Sequence, residues 1–231
     1  MNKSGKIFRI LGIVLLGLTA AMNLLAGIGL TCVAFSSNVG YRLAFKELMD
    51  YRWLYQALVV ICILIGIAGI WAAIKLVHGG PSVFRNALII LGMGVLFGGI
   101  HYFASMALRG KAAPANVKFY LNIFTLLVFL LFRTPGIWNK VDFSGPGGKN
   151  ERRTGAGLAA IVTGILTLTI FYWAGPSHTF FQENWVYVLQ IPLLIVGSSL
   201  TLGGIGILGR VVYEIISGGY PAVELDPSES Y

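Results

Sequence analysis

Acidic side chains are scarce in this chain: nine Asp and Glu among 231 residues, with none inside any long apolar stretch. Proton-driven pumps relay protons through intramembrane carboxylates, so that chemistry has no residues to work with here. Charge of either sign is thin at 11%, against about a quarter in ordinary soluble proteins, which leaves almost nothing for a soluble domain. Cysteine is limited to Cys32 and Cys62. Helical rise puts Cys32 a few Å and Cys62 about 13 Å below the same surface. A disulfide needs Cα atoms about 4.4 to 6.8 Å apart, so both are expected as apolar thiols. HExxH and CxxC are missing, which removes the usual zinc and dithiol chemistries.

What the chain does have is apolar residues, 56% of the total, gathered in six long runs with little or no charge. A membrane-crossing helix takes roughly 20 apolar residues at about 1.5 Å each. The runs at 7–35, 53–77, 83–108, 117–132, 155–173 and 185–208 meet or approach that length, the fourth being shortest. The first follows Lys3, Lys6 and Arg9 as a signal peptide would. Its apolar run is far longer than the roughly 7 to 15 residues of a signal core, and it is expected as a helix of the mature protein. The sequence therefore predicts an all-α fold: a polytopic integral membrane helical bundle of six transmembrane helices over residues 1–216. An acidic tail with Gly218, Gly219, Pro221 and Pro227 follows at 217–231, and tails of this kind are expected to be disordered. The polar, Gly-rich tract 142–153 is expected to be mobile as well.

Cations in short loops set orientation. With the N-terminus inside, 11 Lys and Arg fall on the inner side and 6 on the outer, Lys118 among the latter. Both termini are thus expected to be cytoplasmic, in a cytoplasmic membrane of the bacterial type. The net charge of +8 is spread over loop ends without interleaved aromatics, a pattern for lipid headgroups rather than nucleic acid. Segment 36–52 places Tyr41, Ala44, Phe45 and Leu48 on one helical face. It is expected as a short amphipathic helix in the outer interface, either a lid or a docking surface for a partner.

Chemistry within the spans is sparse. His101 is the one histidine inside a run, and Gln56, Asn122 and Gln190 lie at similar depth by residue count. These four could ring an outer-leaflet pocket holding a quinone, a lipid headgroup, a haem or a chlorin; the bland reading is a histidine satisfied by a neighbouring amide or carbonyl. Gly94 and Gly98 form a GxxxG, read as packing inside the bundle or as an interface with another subunit. Gly204, Gly206 and Gly209 spell GxGxxG in a membrane helix with no preceding strand, so a dinucleotide site is rejected. Ser177, His178 and Glu183 are close sequence neighbours without a nucleophile turn, a weak basis for hydrolysis. The chain therefore reads as an accessory or anchoring subunit of a larger membrane complex, redox- or quinone-linked and not catalytic by itself. Its expected partners are membrane lipids and other membrane-protein subunits. The rival reading is a small-molecule or lipid transporter or channel with an outer-leaflet polar pocket. A lipid-modifying enzyme using His101 as base lacks the acidic partner it would need.

Overall fold

A computed structural model describes residues 3–35, 37, 39–113, 115–141, 143–145, 147–180 and 183–217. The expected tail, Ser217 apart, lies outside the described residues. The architecture is helical, apart from a two-residue ladder pairing β1 (Thr179–Phe180) with β2 (Glu183–Asn184). Among the described residues, five helices are long and apolar enough to cross a membrane: Gly5–Phe35, Lys46–His78, Val83–Arg109, Ala115–Phe132 and Val186–Ser217. Such helices are compatible with an integral membrane protein.

The long helices are α1 (Lys3–Phe35), α3 (Arg52–His78), α4 (Val83–Arg109), α5 (Ala115–Phe132), α7 (Lys149–Leu168) and α9 (Gln190–Ser217). Short pieces join them: α2 (Val39–Ala44), α6 (Pro135–Trp138) and α8 (Ile170–Trp173). The central helix is α1, which packs on α3, α7 and α5; α4 closes the group by packing on α3 and α5. The antiparallel α7–α9 pair joins the group through α7, which packs on α1. Gly110 ends α4 in the left-handed region (φ 66°), where its N–H caps the Met106 carbonyl at 2.9 Å; a residue with a Cβ would be strained there.

Small residues set the closest approaches. A Cβ at Gly66 or Gly69 of α3 would lie 2.7 Å or less from Leu24 or Ala20 of α1. In the α7–α9 pair, Gly157 faces Gly204 and Gly164 faces Gly197, seven residues apart on both helices. Backbones come this close where lipid supplies no hydrophobic drive and dispersion must hold helices together. Gly94 and Gly98 belong to the same device: they face Asn122 and Phe119 of α5 and are buried. They are therefore packing inside the bundle and not a surface for another subunit.

The end of the bundle near the N-terminus, here the proximal end, is plugged by aromatic rings. Phe84, Phe129, Phe132, Trp138 and Phe143 pack together with centroids 4.9 to 6.4 Å apart. The tract expected to be mobile is thus anchored, because its Phe143 and the adjacent Val141 supply buried apolar surface to that core. Arg9 reinforces the anchor. It is 1% exposed, donates to the carbonyls of Gly145 (2.8 Å), Leu76 (3.1 Å) and Val77 (3.3 Å), and lies 3.5 Å from Glu151.

Two further expectations change. The run at 155–173 becomes α7 and α8, interrupted at Thr169, whose hydroxyl turns back to the Ile165 carbonyl (2.8 Å). Helix α7 starts earlier than expected and is not among the five apolar helices, because its first turn carries Lys149, Glu151, Arg152 and Arg153. Within segment 36–52, the described residues form α2 and a 3-10 helix, Lys46–Tyr51, that runs directly into α3. Phe45 and Leu48 are buried against Leu30, Ala34, Tyr55 and Leu58, so they are core and not an exposed docking face. Tyr41 lies in α2, but its side chain falls outside the described residues.

Candidate functional site

At the opposite, distal end the helices leave a partly enclosed cavity of about 250 Å³. One wall comes from the ends of α1 and α4 and the start of α5; the other comes from Thr167, α8, and the start of α9. The lining is chiefly apolar, with Leu25, Val33, Ile170, Trp173, Leu193 and Val196 among it. Its polar groups are Tyr55, His101, Ser105, Arg109, Lys118, Thr167 and His178.

Lys118 is the residue that sequence reasoning misplaced. Counted above as an outer loop cation, it sits in the first turn of α5 and is 1% exposed. The helix turns it inward because α5 buries the face Ala115, Lys118, Asn122, Thr125, Phe129 and Phe132, at the three- and four-residue spacing of one helical stripe. Its amino group donates to Cys62 Sγ at 2.9 Å and lies 3.2 Å from His101 Nδ1. Where the amino group donates, Nδ1 of His101 accepts and the ring proton sits on Nε2. The edge of Tyr55 packs against the His101 ring (centroids 5.8 Å apart), and the Tyr55 hydroxyl pairs with Ser105 at 3.3 Å.

Deeper in the bundle, polar groups satisfy one another. Asn122 and Asn23 exchange amide hydrogen bonds at 3.2 and 3.3 Å, and Thr19 pairs with Thr125 at 2.7 Å. Asn122 also donates to the Lys118 carbonyl at 2.8 Å, and Asn23 to that of Thr19 at 2.9 Å. Each such bond between helices contributes roughly 0.6 kcal/mol in a membrane, which makes the seam modest glue between α1 and α5. Gly94 gives Asn122 the room to lie there.

The expected ring of four does not assemble around this cavity. His101 lines it, whereas Asn122 is committed to the seam below. Gln56 donates to the Ala34 carbonyl at 3.2 Å, joining Arg52 (2.7 Å) in capping the end of α1. Gln190 is exposed at the start of α9. Residue count along each helix says nothing of the face, and face decides which side chains meet.

Electrostatically the cavity is one-sided. Its lining contains Lys118 and Arg109 but no Asp or Glu. Arg109 lies over the Phe45 ring at 4.8 Å and feels Glu47. Among the described residues, no carboxylate pairs with Lys118. Among them, too, no group of three His, Cys, Asp or Glu could hold a metal ion. Comparison with protein-family models, with curated proteins and with solved structures gives no match.

Proposed function

We propose that this chain is an integral membrane protein of the small-molecule or lipid transporter class, and that its distal cavity receives an amphiphile with an anionic head. The observation that carries this reading is Lys118, a buried cation opening onto an apolar cavity with no carboxylate beside it among the described residues. Burying an ammonium without a carboxylate is costly, and a ligand anion supplies the counter-charge that no described side chain does. His101 and Ser105 add hydrogen-bonding groups at the head, while Leu193, Ile170 and Trp173 suit a hydrocarbon chain. In this reading α7 crosses the membrane beside α9, giving six spans with both termini on the cytoplasmic side and the short helices at 39–51 in the outer interface. Exchanging Lys118 and Arg9 for interior positions takes one cation from each side, so the charge difference favouring that orientation is unchanged.

The test is photolabelling of the purified protein with a long-chain carboxylate bearing an aliphatic diazirine, alongside the matching neutral alcohol. Labelling of α8 and the start of α9 by the carboxylate, reduced at least tenfold in Lys118→Met, is the expected result. Equal labelling by the alcohol would sink the anionic-head assignment.

A second reading, the anchoring subunit of a larger assembly, is supported by α9. Its outer face carries Gly203, Gly206 and Gly209 with open space where a Cβ would stand, beside exposed Leu202 and Ile205. Purification in mild detergent separates the two: stoichiometric companion chains favour the subunit, and a lone chain favours the transporter.

A further inference from the structure

The proximal end holds a second concavity, about 540 Å³, where the ends of α3 and α9 meet the start of α7. Lys149, Arg152, Arg153 and Arg210 line it together with His78, and Val77, Ala156 and Ile207 complete it. One carboxylate answers these cations. Glu214 takes Arg153 at 2.6 Å, Lys149 at 3.2 Å and Arg210 at 3.3 Å. The neighbouring acid, Glu151, is turned away to Arg9. Arg152 makes no ion pair among the described residues, and the groove keeps a surplus of positive charge.

Its layout is amphipathic along the helix axes. Ala156 lies one turn beyond Arg152 on α7, and Ile207 one turn before Arg210 on α9, so both apolar residues sit deeper in the bundle than the arginines. Arg210 stands 20 residues from the start of α9 at Gln190, about 30 Å of helix, which matches the hydrocarbon thickness of a bilayer. The arginines therefore stand at headgroup depth with apolar wall beneath them.

We propose that this groove binds the phosphate of an anionic phospholipid, with Arg152 as its main contact and the acyl chain lying on Ala156 and Ile207. Bidentate guanidinium groups suit phosphate oxygens, and basic grooves between helices on the cytoplasmic side are where such headgroups settle. A soluble phosphate has no use for the apolar wall. The site stands apart from the distal cavity and does not depend on what fills it.

The experiment is thermal denaturation of the full chain in neutral detergent, titrated separately with phosphatidylglycerol, phosphatidylcholine and inorganic phosphate. Phosphatidylglycerol is expected to raise the midpoint while the other two do not. In Arg152→Gln, the phosphatidylglycerol concentration for half the shift should rise about fivefold, with Arg152→Lys restoring most of the loss. Arg210→Gln, at a more exposed position, provides a second variant should Arg152→Gln not fold. An unchanged titration in the folded glutamine variant, or an equal shift with phosphatidylcholine, would overturn the site. An equal shift with inorganic phosphate would overturn the lipid assignment.

Discussion

At the scale of single residues, two buried cations behave oppositely. Arg9 is matched by three carbonyls and Glu151, so removing the acid leaves an arginine in a site built for a pair. Breaking a buried pair from one side costs about 3 kcal/mol. Glu151→Gln should therefore lower the unfolding midpoint by roughly 6 °C or more, read by thermal denaturation in detergent. Among the described residues, Lys118 has a thiol and an imidazole as its side-chain partners. Replacing it by the apolar Met, of similar length, should leave the midpoint unchanged or higher while abolishing protection by a long-chain carboxylate. A lower midpoint in Lys118→Met without ligand would show that the lysine is structural instead. Neither cation's burial was read from the sequence, because a charge beside an apolar run reads as a loop residue. The signal was present in α5, where Lys118 falls in register with Asn122 and Thr125 on a helix whose other faces are apolar. For Arg9, whose partners lie 67 or more residues away, spacing within its own helix shows nothing.

At the scale of elements, glycines decide which helices pair. Gly164 of α7 meets the Gly197 carbonyl and Thr201 of α9, so a leucine there must force the two backbones apart. Gly203 has nothing within 4 Å of a would-be Cβ. Gly164→Leu is expected to destabilise by about 2 kcal/mol or more through overpacking, whereas Gly203→Leu should be neutral or slightly stabilising in the isolated chain. If Gly203→Leu proves as damaging as Gly164→Leu, the assigned pairing of α7 with α9 is wrong. Five of the six long runs were legible in the sequence, since apolar length is a local property. The start of α7 was not, because its charged first turn resembles loop until Glu151 is seen to fold inward.

At the scale of the whole molecule, the open question is whether α7 crosses the bilayer. A sealed-vesicle assay with a membrane-impermeant maleimide answers it, using single cysteines at exposed positions Lys46, Asn139 and Thr179 in a background lacking Cys32 and Cys62. Six spans predict that Lys46→Cys and Thr179→Cys label from the same side and Asn139→Cys from the other. Labelling of positions 139 and 179 from one side would leave five spans. The arrangement also bears on how the chain is made. Helix α1 precedes the other described helices in the chain, yet it is the one on which α3, α5 and α7 all pack, and the groups that hold its Arg9 are translated as much as 142 residues later, at Glu151. In the proposed membrane arrangement, α1 thus enters the bilayer before the groups that hold Arg9 have been made. Release of the first five-eighths of the chain would strand a helix without its anchor, and quality-control proteases would meet it before its partners did.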